Sequence, residues 1–169
     1  MDPEGKAREK IDSELKKAGW SVQDSSTANL SAARGVAIRE FPLGKGYGFA
    51  DYLLYVDGKA TGVIEAKKVG STLTGVEIQS AKYSEGLPPD LPAHYRPLPF
   101  LYESTGIETQ FTNGLDPEPR SRPVFAFHKP ETLAGWIENA GIKPDSTRPA
   151  QGVAYRTDSY LKCRTLRGL

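Results

Sequence analysis

The stretch Gly48-Phe49-Ala50-Asp51-Tyr52-Leu53-Leu54-Tyr55-Val56-Asp57-Gly58-Lys59-Ala60-Thr61-Gly62-Val63-Ile64-Glu65-Ala66-Lys67 decides the reading of this chain. Two runs rich in β-branched and aromatic residues flank Asp57-Gly58, a dipeptide whose residues both tolerate the positive φ of a tight turn. The pattern predicts a β-hairpin with strands apolar enough to be central. Set into those strands are Asp51, Glu65 and Lys67. Charged side chains in apolar strands cost on the order of several kcal/mol unless paired, bound to a metal or solvated in a cleft. Whether the three converge depends on the turn. Side chains alternate with period two, so a two-residue Asp57-Gly58 turn pairs Asp51 with Ile64 and throws Glu65 to the opposite face. A three-residue Val56-Asp57-Gly58 loop instead sets Tyr55 opposite Lys59 and Asp51 opposite Val63, and Glu65 and Lys67 then share the face of Asp51. Convergence therefore needs that odd loop, or a bulge.

The rest of the chain supplies layers for such a hairpin. Upstream, Asp2-Pro3 offers an N-cap and a first-turn proline, and Ala7, Ile11, Leu15 and Ala18 recur at helical spacing up to Gly19-Trp20. Residues 21–34, rich in Ser, Ala and Asn, read as a loop, and 35–41 as a strand. Downstream, Thr74 to Glu85 reads as a helix stopped by Gly86. Five of the 13 prolines then fall within residues 86–99, which predicts an irregular connection. Short strands are expected at 100–102, near 107–111 and at 124–127, with a proline-bearing loop at 116–123. Pro130-Glu131-Thr132 opens a last helix carrying Leu133, Trp136 and Ile137. Helix, strands, helix, strands, helix predicts an α/β fold with a mixed central β-sheet flanked by helices.

Length and composition narrow the function classes. At 169 residues and 18.4 kDa the chain suits one domain, read as 1–145, followed by a basic linker over 146–169. Twenty-two Lys+Arg against 21 Asp+Glu leave a net charge of +1, so bulk charge points to neither nucleic acid nor membrane, and any DNA contact must come from local patches. The single Cys163 permits no internal disulfide and no multi-thiolate zinc site, which favours a reducing compartment, with the cytoplasm as the expected location. Neither a signal peptide nor a membrane span is expected.

Two carboxylates on one face suit Mg²⁺, a hard cation that takes oxygen ligands and keeps several waters, with a phosphodiester completing the shell. Asp51 and Glu65 would hold it while Lys67 orients the nucleophile or stabilises transition-state charge. The competing reading is an incidental ion pair inside a sheet. The bare triplet Glu-x-Lys decides little, since it also occurs at Glu4-Gly5-Lys6 and Glu14-Leu15-Lys16. Glu4 falls near the apolar face of the first helix, so it is either a further ligand or a partner of the helix dipole. Gln79 and Tyr83, four apart, share a helix face; they either bond the lysine or a DNA phosphate together, or are a packed Tyr beside a surface Gln.

Asp51, Glu65-Ala66-Lys67 and Gln79-Ser80-Ala81-Lys82-Tyr83 resemble the PD-(D/E)xK nuclease signature with the Q-x-x-x-Y element of its RecB-like branch. More narrowly, residues 11–20, 50–58, 62–68, 116–125 and 127–133 resemble the N-terminal nuclease domain of the restriction (R) subunit of type I restriction-modification enzymes. The resemblance covers most of residues 3–140. It implies a restriction-endonuclease-like core and Mg²⁺-dependent cleavage of double-stranded DNA, with Mn²⁺ as a substitute. That cleavage has no sequence specificity of its own and follows translocation by an ATP-driven motor. It further implies Asp51 and Glu65 as metal ligands, Lys67 as the catalytic lysine, Gln79 and Tyr83 as supporting residues, and Glu4 as the acidic residue of helix one. Modification and specificity subunits are the implied partners. Ala50 stands where the name-giving motif has proline, which leaves the aspartate in place. No G-x-x-x-x-G-K-[ST] occurs, so the motor and its ATP site are expected beyond Leu169. Two rivals remain: a non-catalytic docking module of the same complex, and a DNA-binding domain without turnover.

Other candidates carry less. His94 and His128 lie 34 residues apart with no Cys nearby and read as structural or surface residues. Ser13-Glu14-Leu15-Lys16 fits a charged helix surface, and Cys163 an ordinary thiol. Arg120 and Arg122 would meet either DNA phosphate or another domain.

Overall fold

The computed structural model describes residues 3–73, 82–83 and 85–141. Helix α1, Pro3–Lys17, buries Ala7, Ile11 and Leu15, the stripe expected of it, and Gly19 ends the segment at positive φ. Seven strands follow: β1 (Ser21–Asp24), β2 (Gly35–Pro42), β3 (Phe49–Val56), β4 (Lys59–Ala66), β5 (Phe100–Ser104), β6 (Thr109–Asn113) and β7 (Arg122–Val124). Helix α2, Pro130–Gly141, closes the described chain. The sheet runs in sequence order, with β1/β2 and β4/β5 parallel and the other neighbours antiparallel. The fold is α/β with the mixed sheet expected.

Both sheet faces are covered, which is why β3 and β4 read as nearly continuous apolar runs. On one face Ile11 and Leu15 of α1 and Leu133 and Ala134 of α2 pack with Tyr52, Leu54, Ile64, Phe100 and Tyr102. On the other, Leu53, Tyr55, Val63 and Leu101 pack with Tyr83, Leu87 and Leu98. A buried aliphatic or aromatic side chain of this kind contributes roughly 1.5–3 kcal/mol. The compact unit spans Met1–Ile137; the described residues 138–141 complete α2. No helix among the described residues is long and apolar enough to cross a membrane.

Three expectations change. Residues 21–24 form a strand rather than a loop: Val22 is their one apolar residue, and only parallel pairing with β2, from Ser21↔Val36 to Asp24↔Arg39, defines them. The last strand is Arg122–Val124, ahead of the expected 124–127, and takes in the end of the expected proline loop. Pro123 is tolerated because β7 is an edge strand, whose outer N–H groups need no partner. Of the helix expected over 74–85, Lys82, Tyr83 and Glu85 are helical, as is Gly86, while 74–81 and 84 lie outside the described residues, as does the basic segment 146–169.

Candidate active site

The hairpin uses the two-residue turn and still brings its acids together. Asp57 and Gly58 both have positive φ, 51° and 76°, as a type I′ turn requires. Val56 therefore faces Lys59 and Tyr55 faces Ala60, not Lys59. The register then slips by one, because Thr61 is an extra residue on β4, and Leu54 faces Gly62, Leu53 faces Val63 and Tyr52 faces Ile64. One step further, Asp51 stands opposite Glu65. The bulge was one of the two devices convergence needed, and it replaces the three-residue loop.

Each acid is tied down from a different element. Asp51, 16% exposed at its side chain, accepts the Ala66 N–H at Oδ2 (2.9 Å) and Arg8 Nη2 at Oδ1 (2.6 Å). Arg8 comes from α1 and also donates through Nη1 to Glu40 at 2.8 Å. Glu65, 20% exposed, accepts Lys67 Nζ at Oε1 (3.0 Å) and the Tyr83 hydroxyl at Oε2. Lys67 is anchored in turn by its N–H to the Ser104 carbonyl (2.8 Å). Burial pushes the Tyr83 phenol well above its ordinary range, and the bond to Glu65 and the charges of Glu65, Asp51 and Glu103 push it the same way. Tyr83 thus stays a neutral donor amid three carboxylates.

The structure brings together Asp51, Glu65, Lys67 and Tyr83. Gln79 lies outside the described residues. Glu4 is exposed and its carboxylate lies 3.9 Å from Lys68 Nζ; among the described residues no three acidic, histidine or cysteine side chains form a ready-made metal cage. Two residues were missed. Arg8 carries no signal in sequence, since any arginine on a helix flank looks alike. Glu103 does carry one: it sits in Phe100-Leu101-Tyr102-Glu103-Ser104, and the cost argument that singled out Asp51 applies to it once the strand is extended past Tyr102. Glu103 pairs with Glu65 across β4/β5, is 2% exposed, and among the described residues neither Oε has a hydrogen-bond partner. Burial pushes its carboxyl up; Lys67 pulls it down, and Glu65 adds to the rise.

The oxygen donors of Asp51 and Glu65, two half-buried carboxylates on neighbouring strands, are of the kind a hard divalent ion takes. The other candidates sit apart. His128 packs among Tyr102, Phe111 and Trp136, with Nδ1 2.8 Å from the Tyr102 hydroxyl, a structural role as expected. His94 Nε2 bonds the Val56 carbonyl at 2.9 Å. Arg120 pairs with Glu118 and Arg122 with Asp116.

A family model described as the second domain of the type I restriction enzyme EcoKI endonuclease subunit matches residues 21–100, a span that includes Asp51, Glu65, Lys67 and Tyr83 but stops short of Glu103. The EcoKI endonuclease subunit of Escherichia coli (strain K12) is 31% identical over 190 aligned positions, covering 83% of this chain. Over these residues the chain is similar to endonuclease subunits of type I restriction enzymes. It spans only 16% of that relative's length. A solved fragment described as an HsdR subunit of a type I restriction enzyme from Vibrio vulnificus YJ016 shares the fold, with TM-score 0.58, 22% identity, and coverage of 85% of this chain and 27% of that one. The sheet and helices described above therefore have a solved counterpart.

Proposed function

We propose that the domain is the DNA-cleaving part of a type I restriction enzyme, a PD-(D/E)xK nuclease that hydrolyses phosphodiesters of double-stranded DNA with Mg²⁺. It has no sequence specificity of its own and acts after translocation by ATP-driven motor domains outside this chain. Modification and specificity subunits complete the assembly, and Mn²⁺ substitutes for Mg²⁺. The observation that carries this reading is the gathering of Asp51, Glu65 and Lys67 on one sheet face, with Tyr83 bonded to Glu65.

Asp51 and Glu65 are the residues that would hold the ion. When bound, Mg²⁺ supplies Lewis-acid polarisation of a phosphoryl oxygen and a more acidic water. The remaining work falls to the protein. Lys67, fixed through its backbone to Ser104 and through Nζ to Glu65, presents a positive charge to the phosphate as negative charge grows there. Tyr83 holds the Glu65 carboxylate in one orientation. Arg8 offsets the charge of Asp51 and Glu40, which lowers the repulsion an incoming phosphate meets. In the full assembly, Asp51→Ala and Lys67→Ala should each abolish cleavage while ATP hydrolysis continues. Undiminished cleavage by either variant would exclude the nuclease role and leave the domain as a docking or DNA-binding module.

A further inference from the structure

The candidate site occupies one end of the sheet, where β2 finishes and β3 starts at Pro42↔Phe49 and where β4 and β5 finish at Ala66↔Ser104. Glu40, Asp51, Glu65 and Lys67 form a polar row along it. Among the described residues the large apolar side chains left exposed are Phe49, Val69, Ile107 and Phe125. All of them stand at this same end. Phe49 opens β3 two residues before Asp51, Val69 follows Lys67 beyond β4, and Ile107 lies in the β5–β6 turn. Phe125 follows β7, whose Val124 is level with Thr109 and through it with Ser104. The opposite end, with the Asp57-Gly58 turn, has none of the set. Single exposed apolar residues need no explanation when scattered, whereas a group gathered on one margin marks a surface that meets a ligand.

Phe49, 69% exposed, is held out by a braced loop. Leu43-Gly44-Lys45-Gly46-Tyr47-Gly48 is closed by the Leu43 N–H to the Gly48 carbonyl (2.9 Å) and the Tyr47 N–H to the Gly44 carbonyl (3.0 Å). The Gly44 N–H donates to the Gly86 carbonyl at 2.8 Å, and Tyr47 covers Gly86, where an added Cβ would meet its ring at 2.7 Å. The loop is thus fastened just beyond Tyr83, the residue that holds Glu65. It also carries Lys45, exposed and without an ion pair or hydrogen bond among the described residues.

From β3 to β7 the margin spans four strand spacings, about 19 Å, roughly the combined width of a minor and a major groove of B-DNA. A duplex that brings a phosphate to Lys67 lies against this margin, whereas a protein seated across it would close the site. Apolar and aromatic contacts suit cleavage without sequence preference, because every sequence offers sugars and base faces, while hydrogen bonds to base edges select. We propose that this margin grips the DNA duplex beside the phosphate to be cut, with Phe49 packed as an apolar wedge in the minor groove and Lys45 on a backbone phosphate. The role rests on the nuclease reading above. It supplies the local patch for DNA that a net charge of +1 does not.

The test reads the affinity of the 169-residue chain for a labelled duplex of mixed sequence by fluorescence anisotropy, across a salt series at fixed Ca²⁺, for wild type, Phe49→Ala, Lys45→Ala and Lys59→Ala. Lys59 is exposed at the opposite end of the sheet and serves as the control. All three side chains are exposed, so the substitutions spare the core. Phe49→Ala should weaken binding about fivefold or more, in the range found when one base–aromatic contact is lost, with the salt slope unchanged. Lys45→Ala should make the slope shallower by about 0.9, the share of one phosphate contact. Lys59→Ala should bind as wild type does. In the assembled enzyme, Phe49→p-benzoylphenylalanine should cross-link to DNA on illumination. A wild-type chain that leaves the duplex free at low salt, Phe49→Ala with wild-type affinity, a loss as large for Lys59→Ala, or a position-49 adduct with protein in place of DNA each overturns the proposal. The nuclease reading falls on a different result, cleavage that survives Asp51→Ala.

Discussion

Gly62→Ala tests whether the closeness of β4 and β5 holds the site together. A Cβ at Gly62 would lie 2.4 Å from the Phe100 carbonyl oxygen and 2.9 Å from Phe100 Cβ. The first contact is about 1 Å short of ordinary van der Waals distance, and the obstructing atom is strand backbone, which cannot swing aside. Relief requires parting the strands at Gly62↔Phe100, three residues before Glu65↔Glu103. Overpacking costs ~1–3 kcal/mol, and weakening two ladder hydrogen bonds adds about 2 kcal/mol. The smaller entropy of the unfolded alanine chain offsets ~0.5–1 kcal/mol of this. A net loss of about 3 kcal/mol corresponds to a Tm lower by roughly 6–12 °C in a domain of this size. The control is Gly135→Ala in α2, where an added Cβ meets nothing within 4 Å. It should stabilise by ~0.5–1 kcal/mol through helix propensity alone, raising Tm by about 2 °C. Thermal denaturation followed by circular dichroism reads both. A Gly62→Ala Tm within 2 °C of wild type, on the order of the Gly135→Ala effect and below the 6 °C floor derived above, would refute the argument from backbone contact.

Deleting Thr61 should leave the acids facing one another, because the pairs on either side of it, Leu54↔Gly62 and Tyr55↔Ala60, become a regular ladder without it; Mn²⁺ affinity within threefold of wild type, on the order of 0.7 kcal/mol, is the expected readout. Tyr83→Phe removes the donor to Glu65, a hydrogen bond to a charged acceptor worth ~1.5 kcal/mol, so cleavage by the assembled enzyme should fall about tenfold with ATP hydrolysis unchanged. Burial lowers the pKa of His128 from its ordinary 6.5, so the unfolded chain takes up its proton first as the pH falls. The neutral ring's contribution is complete above pH 6.5 and declines below it. The stability difference between wild type and His128→Gln, from urea titrations, should therefore be flat above that pH and shrink toward pH 5, whereas a difference that grows on acidification would contradict the burial argument.

Much of the fold was legible because its strong signals are local. Helix α1 follows from Ala7, Ile11 and Leu15 at helical spacing, and the central hairpin from two apolar runs around Asp57-Gly58. What sequence alone concealed depends on distant partners. Ser21-Val22-Gln23-Asp24 has no intrinsic strand pattern and becomes β1 only by lying along β2. Pro123 argues against a strand until β7 proves to be an edge. In the site, Asp51, Glu65, Lys67 and Tyr83 stood out through spacing and resemblance, whereas Arg8 is placed by the docking of α1, which no pattern in its neighbours encodes. Glu103 was lost to a boundary: a strand ended at Tyr102 leaves it in a loop, where an acid needs no explanation.

The position of the site follows from how the second apolar layer ends. Leu53, Tyr55 and Val63 alternate along β3 and β4 into one buried cluster, and the bulge at Thr61 keeps the two strands in phase so that the next positions on that face are Asp51 and Glu65. Were Thr61 paired into the ladder rather than bulged out of it, Glu65 would fall on the opposite face, among the residues packed against α1. Tyr83 joins the two regimes, since its ring belongs to the apolar cluster while its hydroxyl reaches Glu65. A carboxylate held by a donor whose own ring is locked in a core cannot wander, and that rigidity is what positions groups for a reaction governed by electrostatics. The polar row is thus the working margin of a hydrophobic layer, and the bulging of Thr61 out of the ladder is what keeps it on that layer.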